Sequence, residues 1–496
     1  MKNLSYILLF FLLAFVPLQD EVLEKIRQQW QVYQGNLPHE YVYLSFSEEV
    51  ITAGDTLWFG GYLRHQEAAS KVLYLELTSD QATVQKETYS INKGFVSGQL
   101  SLPDSLSSGI YHIRAYTQWM RNGRESDFFR RSLLVINPYD EAPPAPEHHV
   151  GLDTRLQIVP EGGQWVKGLP ARLRVSVGGQ ENQNLSGSIL RQEDTVKVAD
   201  IQLENGGDMI SLRPADSISY RAEVYLASGD TLTALLPTPR QQGVTLMVDL
   251  QNDRLNISTY NKGSSEKKYL LVRSQDTLLH SSLLEDTATM LTINPNIENT
   301  ALLEISVVNV QAQVLAERLL YYSVAPLPVQ IKFDKNQYAP REEVSASLSL
   351  PEGVDAARLS VSSRKVNSLS SELTQNIALP WSNNLSRPVV GMPEPLVNQW
   401  LVSQRSPFLA WQEILSIEPK SPIHRKEDEY FLLSGRLTDP SGSPINDEMT
   451  LLSVPGNNPH FDYYRTDSSG RFYLPVYDVY GEKEVVFQLQ NDSLQA

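Results

Sequence analysis

The sequence predicts an all-β protein built from a row of β-sandwich domains, with a short N-terminal helix and one helix inserted late in the chain. Short runs in which apolar and polar residues alternate, such as 41–46 and 173–177, are bounded by Gly, Pro, Ser or Asp, as is typical of strands. The 23 tyrosines favour pleated, half-buried surfaces. With 496 residues the chain exceeds the roughly 250–300 residues at which single cores stop growing, so several domains are expected.

The first sandwich is predicted over residues 39–138. Residues 41–46 and 56–63 flank a turn at Ala53-Gly54-Asp55, which predicts a hairpin in which Gly54 takes a positive φ. Further strands are expected at 72–77, 98–102 and 109–116. A proline-rich stretch at 143–146 then predicts a stiff, extended linker.

Proline-marked seams divide the rest of the chain into four further predicted domains. These are a second sandwich at 153–240, a third at 243–325, a fourth with a helical insertion at 326–425, and a fifth domain at 428–496. The sequence stops soon after an apolar strand at 485–489. The fifth domain is therefore either complete but for its last strand, or truncated from a longer chain.

The fourth domain repeats the first. If Leu44 is aligned with Ile331, Phe46 falls on Phe333 without a gap, and the turn residues that follow also correspond. Internal self-similarity is the mark of repeat architecture, so an array of related sandwiches is expected.

The N-terminus carries the profile of an export signal. Lys2 precedes an apolar run at 6–18, which predicts a signal peptide over residues 1–19. A retained anchor is the alternative, although the run is shorter than the ~20 residues that span a bilayer. Cysteine is absent, so an exported chain of this kind has no disulfides, which suits a bacterial envelope.

Two helices are predicted. Val22, Ile26 and Trp30 recur every four residues, so a short amphipathic helix is expected within 20–38, packed on the first sandwich or loose if the terminus is free. A second helix is expected across 400–415, started or kinked by Pro407, as a clamp between the fourth sandwich and the domain that follows.

The stretch 41–63, with its Gly-Asp turn and aromatic strands, resembles the macroglobulin-type domain, an immunoglobulin-like β-sandwich. A closer match to the lead of that turn lies in the fourth domain, at Lys335, Tyr338, Pro340 and Glu342. Thioester-bearing macroglobulins trap proteases through a cysteine, and this chain contains none. The resemblance therefore implies the fold without the trapping chemistry.

Residues 434–437 and 466–472 resemble the carboxypeptidase regulatory-like domain. The domain order is similar to that of long envelope proteins of the Bacteroidota, in which macroglobulin-like domains precede this domain and sometimes a TonB-dependent-receptor plug. No plug or membrane barrel is visible in the sequence. Any receptor activity is therefore expected to reside in missing sequence or in a partner, such as an outer-membrane receptor or transporter.

Charge and motifs argue against several functions. The net charge is −16 and no basic stripe is present, so nucleic acid is not expected as a partner. The sequence lacks a nucleophile elbow, a phosphate-binding loop and a dinucleotide fingerprint. Glu161-Gly162-Gly163 has the glycines of a phosphate loop, but no helix signal follows it, so a turn or bulge with positive φ is expected.

Candidate ligand and acid residues also have simpler interpretations. His148-His149 is the one adjacent histidine pair, and on an extended linker its side chains point apart, which disfavours a metal site. Acidic clusters at 48–49, 342–343 and 427–429 lie near predicted turns, so they are interpreted as solvated turn charge. The alternative is a pair of glycosidase carboxylates drawn from distant strands.

Trp58 and Tyr62 are the candidate partner-binding residues. Trp58 and Phe59 are consecutive on a predicted strand, so they face opposite sides of the sheet. An outward Trp58 beside Tyr62 would suit stacking on a sugar or a protein partner, whereas packing between domains is the alternative.

Together these features predict a non-catalytic, exported protein of the periplasm or outer membrane that acts as a multidomain scaffold or binding module. No catalytic residue, cofactor site or metal site is expected. The expected partners are envelope proteins, including an outer-membrane receptor or transporter, with a glycan as a further candidate. The alternatives are a carbohydrate-binding or adhesive protein, and an accessory enzyme or a protease-inhibitor-like protein without a thioester.

Overall fold

The computed structural model describes most of the chain between residues 20 and 489. The described ranges are 20–36, 40–65, 70–79, 82–140, 154–178, 183–205, 207–215, 218–275, 277–284, 287–297, 301–324, 329–353, 393–419, 421–456, 459–476 and 484–489. The predicted signal peptide, the proline linker at 143–146 and His148-His149 lie outside them. Sheets dominate these ranges and the helices are short, which confirms the all-β, tandem-sandwich prediction.

The chain divides into two compact units. Unit 1 comprises residues 1–36, 144–359 and 375–420, and unit 2 comprises residues 37–143, 360–374 and 421–496. None of the helices within the described ranges has both the length and the apolar character that crossing a bilayer requires.

Unit 2 contains the first sandwich. Its strands are β1 Glu40–Phe46, β2 Val50–Thr52, β3 Thr56–His65, β4 Val72–Thr78, β5 Thr83–Ser90, β6 Phe95–Ser101, β7 Gly109–Tyr116 and β8 Phe129–Ile136. They form one sheet of order β1-β3-β6 and another of order β2-β8-β7-β4-β5. Alternate residues such as Leu57, Leu75 and Ile113 fill the core between the two sheets, because successive side chains on a strand point to opposite faces.

The predicted hairpin forms, but its connection is not a simple tight turn. β1 and β3 pair antiparallel with Phe46 opposite Phe59. Between them, β2 crosses to the other sheet and pairs parallel with β8. The turn into β3 is closed by a hydrogen bond from Asp55 N to Thr52 O at 3.1 Å, and Gly54 there has a φ of +87°, as predicted.

Gly54→Val is expected to destabilise the first sandwich by roughly 1–3 kcal/mol, since a β-branched side chain is strained at positive φ. Thermal unfolding of the purified protein measures the effect. Gly109→Val is the matched control, because Gly109 begins β7 and a Cβ there would meet open space. Equal melting temperatures for the two variants would contradict the assignment of the turn.

The C-terminal domain of unit 2 has two small sheets. β25 Phe431–Arg436 pairs with β28 Arg471–Val476, and β26 Met449–Val454 lies between β27 His460–Arg465 and β29 Val486–Leu489. Its two predicted turns share one design. In each, an aspartate carboxylate, Asp439 or Asp467, accepts two backbone N–H bonds at 2.9 Å, and a glycine of positive φ, Gly442 or Gly470, follows three residues later.

Unit 1 contains the second sandwich. Its strands are β9 Leu156–Pro160, β10 Ala171–Val177, β11 Leu185–Arg191, β12 Lys197–Leu203, β13 Gly207–Leu212, β14 Tyr220–Tyr225 and β15 Thr231–Leu235. The two sheets have the orders β13-β10-β9 and β12-β11-β14-β15, and their inner faces share one apolar core.

The third sandwich of unit 1 is similarly built. Its strands are β16 Gly243–Gln251, β17 Arg254–Lys262, β18 Lys268–Arg273, β19 Leu278–Leu284, β20 Ala288–Ile293, β21 Ala301–Val308 and β22 Val314–Tyr322. They form sheets of order β16-β17-β20 and β19-β18-β21-β22. Every residue of β18 is buried, so this strand is covered on both faces.

The fourth domain is described only as a hairpin, β23 Gln330–Phe333 and β24 Ala346–Ser349, and its predicted remainder at 354–392 lies outside the described residues. Ile331 pairs with Leu348, as Leu44 pairs with Gly61 in the first sandwich. The offset that aligns Leu44 with Ile331 also aligns their partners. The pairing register therefore supports the predicted repeat.

The helices differ from the prediction. α1, Glu21–Asn36, packs on β19 of the third sandwich, and the expectation that it lies on the first sandwich is wrong. The predicted single helix at 400–415 is two helices, α2 Glu394–Leu401 and α3 Trp411–Leu415, because the segment around Pro407 is not helical.

The three α-helices of the described residues cover the outer face of the β19-β18-β21-β22 sheet or contact one another there. α2 packs Val397, Trp400 and Leu401 against Leu302 and Leu319 of that sheet, while α1 contacts both β19 and α3. The segment 400–415 was predicted to pack between the fourth sandwich and the domain that follows, whereas the described contacts place α2 on the third sandwich.

Candidate binding face and buried charge clusters

Trp58 lies on the outer face of the β1-β3-β6 sheet. Its side chain is 58% exposed, whereas Phe59 points into the core and is 5% exposed, as the alternation predicted. The cross-strand partner of Trp58 is Gln99, which is also exposed. An indole ring beside an amide on a pleated sheet offers both a stacking surface and hydrogen-bonding groups.

Tyr62 lies on the same face but is engaged in packing. Its ring centroid is 5.1 Å from that of Tyr43, the residue opposite it in β1. Burial raises the pKa of the Tyr62 hydroxyl, so it remains a neutral phenol. Of the two predicted binding residues, Trp58 is the one with a freely accessible ring.

Glu161 forms the centre of a buried charge cluster in unit 1. It lies in a short turn after β9, is 1% exposed, and accepts two hydrogen bonds from Arg172 at 2.6 and 3.0 Å. Arg318 Nε donates to the same carboxylate at 3.0 Å, and so does Val248 N at 3.1 Å. One carboxylate therefore joins the second sandwich to the third.

The arginines of this cluster extend the connection. Arg172 also reaches Asp249 at 2.5 Å, and Arg318 donates to the backbone carbonyl of Asn398 in α2 at 2.7 Å. Complete burial lowers the pKa of Arg318, and the adjacent Glu161 opposes that shift. Since a buried guanidinium without a counter-charge is costly, Glu161 is expected to stabilise this packing.

The glycines after Glu161 have the predicted role. Gly162 and Gly163 have φ values of +74° and +79°, so this is the expected turn with positive φ. A Cβ on Gly162 would lie 2.9 Å from the Cβ of Leu246. The pair of glycines therefore brings the backbone of this turn against the third sandwich and lets Glu161 reach its partners.

Glu304 is the centre of a second buried cluster, under the helices of unit 1. Arg273 donates to its two oxygens at 3.0 and 2.7 Å, and the Trp411 indole donates at 2.7 Å. Hydroxyls from Ser306 and Ser406 complete the shell. A fully buried carboxylate that accepts five hydrogen bonds has no free position for a substrate.

Aromatic rings enclose the Arg273 guanidinium. It lies 4.3 Å from the ring centroid of Trp411, 5.3 Å from that of Phe408 and 5.9 Å from that of Trp30. Trp30 in turn contacts Trp411 at 5.5 Å. Cation–π contacts in a desolvated setting are favourable, so this cluster fixes α1 and α3 to the sheet.

Glu317 lies near this second cluster, and its side chain is half buried. Burial raises the pKa of Glu317 to about 7, and the negative charge of Glu304 adds to the rise. Its carboxylate accepts a hydrogen bond from Ser406 N at 3.1 Å. It therefore helps to hold the non-helical segment between α2 and α3.

One residue of the acidic cluster at 427–429 was interpreted wrongly from the sequence, while Asp428 and Glu429 are exposed, as predicted. Glu427 was predicted to be solvated turn charge but is 1% exposed, because its carboxylate accepts hydrogen bonds from Tyr74 Oη at 3.0 Å and Leu432 N at 2.9 Å. The acidic residues at 342–343 are exposed, as predicted, while Glu49 is half buried in an ion pair with Arg131.

Sequence reasoning missed Glu161 and Glu304 as structural centres. A signal was present for the first, since Arg318 occupies a position of β22 whose parity matches the core residues Ala316 and Leu320. A charged residue at core parity indicates a buried ion pair. Within the described ranges, no group of three or more His, Asp or Glu side chains is placed to hold a metal ion.

No family model matches the sequence, and no curated protein matches it. Among solved structures, the chain is similar to Escherichia coli alpha-2-macroglobulin activated by porcine elastase, with 11% identity, a TM-score of 0.23, and coverage of 91% of this chain and 42% of that one. The chain spans between a quarter and less than half of the length of the bacterial alpha-2-macroglobulins it matches.

Two adhesion-related structures are also similar. The BSP domain of a biofilm-associated protein has 9% identity and a TM-score of 0.22, with coverage of 61% of this chain and 70% of that one. A tetra-tandem repeat from a large adhesion protein has 10% identity and a TM-score of 0.16, with coverage of 91% and 98%. At such identities and scores the similarity concerns the β fold alone.

Proposed function

We propose that this chain is a non-catalytic, exported envelope protein that acts as a multidomain scaffold and binds its partner through the Trp58 face of the first sandwich. Its domains would be macroglobulin-like sandwiches followed by a carboxypeptidase regulatory-like domain, as in Bacteroidota envelope proteins. The partner would be another protein of the periplasm or outer membrane, such as a receptor or transporter.

The contrast between the buried carboxylates, which hold the fold together, and the exposed Trp58 supports this proposal. The buried carboxylates Glu161 and Glu304 are saturated by arginines and backbone groups that join strands and helices. Trp58, by contrast, exposes most of its ring on an open sheet face. Tryptophan is enriched among the residues that dominate binding energy at interfaces, and Trp58 is the observation that carries the proposal.

Trp58→Ala is expected to abolish partner capture while leaving the melting temperature unchanged, because the ring adds little to the core. Tagged protein is recovered from intact, crosslinked envelopes, and the proteins that co-purify are quantified. Tyr225→Ala is the matched control, since Tyr225 is a 48% exposed aromatic on the second sandwich. Retention of the same partners by Trp58→Ala would refute the assignment of this face.

A glycan is the second candidate partner, favoured by the exposed Gln99 directly across the sheet from Trp58. Aromatic stacking combined with an adjacent amide is the chemistry that recognises a sugar ring and its hydroxyls. Binding of the purified protein to isolated envelope polysaccharide, lost in both Trp58→Ala and Gln99→Ala, would favour this candidate over a protein partner.

A further inference from the structure

The segment 421–430 lies against the first sandwich as an extended strap. Asn122 holds it at one end, accepting from Ile423 N and His424 N at 2.8 Å each and donating to His424 O at 2.8 Å. Further along, Lys71 N donates to Glu427 O at 2.6 Å. The strap leads directly into β25, so its attachment connects the C-terminal domain to the first sandwich within unit 2.

Glu427 is the one residue of the strap that is fully buried. Its Oε1 accepts hydrogen bonds from Tyr74 Oη and Leu432 N. Its Oε2 is buried without a hydrogen-bond partner among the described atoms. A charged carboxylate in this position would leave half of its charge unsolvated, whereas the neutral acid would not.

We propose that the strap is a pH-responsive clasp: neutral Glu427 keeps it seated on the first sandwich, and ionisation of that carboxyl releases it. Release would loosen the connection between the first sandwich and the C-terminal domain.

The direction of the pH dependence follows from burial. Burial raises the pKa of Glu427 from the ordinary 4.5 to about 7, although the bonds from Leu432 and Tyr74 oppose the rise. Between these two values the seated form keeps a proton that the released form has lost, so seating weakens as pH rises and levels off above about 7.

The charged and titratable groups around the carboxyl do not reverse this direction. Tyr74 and Tyr116 stay neutral, since burial raises both of their pKa values far above 7. The charge of Arg121 acts on Tyr74 and lowers its pKa slightly against the rise from burial. Lys86 Nζ lies 5.3 Å from the centroid of the Tyr74 ring, and Lys426 of the strap is paired with Glu40 at 3.6 Å.

His424, the other titratable group of the strap, acts in the opposite sense. Burial lowers the pKa of His424, and Arg121 and Arg471 lower it further. Its protonation would therefore weaken seating as pH falls. A loss of seating as pH rises cannot come from this histidine.

Hydrogen exchange measured by mass spectrometry on the full chain tests the clasp. Protection factors, which remove the intrinsic pH dependence of exchange, are compared for peptides covering 421–432 at pH 6 and pH 8. In the wild type the protection is expected to fall about tenfold. Seating weakens by a factor of ten for each pH unit below the raised pKa, and pH 6 lies about one unit below it. Peptides from β6 report whether the sandwich itself stays folded.

Glu427→Gln is expected to remove the fall, because the amide has the same shape and no charge at either pH. Glu429→Gln is the matched control, as Glu429 is an exposed residue of the same strap, and it should behave as the wild type. Tyr74→Phe deletes a donor that favours the ionised form, so it should move the midpoint to higher pH. Constant protection in the wild type, or an unchanged fall in Glu427→Gln, would overturn the proposal. If Glu427→Gln does not fold, Tyr74→Phe decides instead, with protection of 421–432 measured at several pH values between about 5 and 8. The proposal is overturned if the pH at which protection falls is the same in Tyr74→Phe as in the wild type.

Discussion

Glu161→Ala is expected to lower the free energy of unfolding of unit 1 by about 3–5 kcal/mol, the usual cost of removing one partner from a buried ion pair. The variant would leave the fully buried Arg318 guanidinium without its counter-charge and Arg172 without its bidentate acceptor. Equilibrium denaturation followed by tryptophan fluorescence measures the effect, since Trp165 and Trp400 both lie in this unit.

Two variants calibrate this result. Asp249→Ala removes a carboxylate that is 50% exposed and shares Arg172, so its cost should stay below about 1 kcal/mol. Glu204→Ala changes an exposed residue of the same sandwich and should have an effect within about 0.5 kcal/mol. If Glu161→Ala were no more costly than Asp249→Ala, the charge cluster would not hold the two sandwiches together.

Glu304→Ala is the second variant with a large expected effect, again about 3–5 kcal/mol. It leaves the buried Arg273 guanidinium without its counter-charge and removes the acceptor of the Trp411 indole. We expect α1 and α3 to detach from the sheet first, so hydrogen exchange in residues 21–36 and 411–415 should accelerate more than exchange in β17.

A double substitution distinguishes the cost of an unpaired buried charge from the cost of the other hydrogen bonds that Glu304 accepts. Replacing a buried pair by apolar residues of similar volume is often neutral or stabilising, so Arg273→Met combined with Glu304→Leu should recover most of the stability that Glu304→Ala loses. Failure of the double variant to exceed the single one would mean that the hydroxyl and indole bonds, and not the unpaired charge, dominate the cluster.

Local patterns in the sequence were sufficient to predict the strands. Alternation over 41–46 and 56–63 identified β1 and β3. The alignment of Leu44 with Ile331 also matches the pairing register of the two hairpins, in which Leu44 pairs with Gly61 and Ile331 with Leu348. These features depend on the period of two along a strand and on the φ of single glycines such as Gly54, which are both local properties.

The positions of the helices depended on long-range packing and were not predictable in this way. The amphipathic spacing of Ile26 and Trp30 predicted a helix but could not name the face that covers it. β18 carried a usable signal, since its sequence of Tyr269 to Val272 is continuously apolar, and such runs are typical of strands buried on both sides. This run predicts that a further layer of structure covers the outer face of the third sandwich.

The burial of charged side chains was the other feature that the sequence did not predict. Glu427 follows and precedes charged residues, a context that usually indicates solvent, and only the fold brings Tyr74 and Lys71 against it. The outward orientation of Trp58 was predictable because the side of the sheet that a residue faces follows from its position along the strand. The packing of Tyr62 against Tyr43 depended on the pairing register of β1 with β3.

The most direct test of the proposed function is site-specific photocrosslinking from position 99 in intact envelopes. A photoreactive phenylalanine replaces Gln99, the exposed residue opposite Trp58 in the sheet, so that Trp58 itself stays in place. A parallel variant carries the same photoreactive residue at the exposed Thr233 of the second sandwich. We predict one discrete crosslinked partner from position 99 that is absent from position 233. The same faint background from both positions would contradict the claim that this protein works by presenting the Trp58 face to a partner.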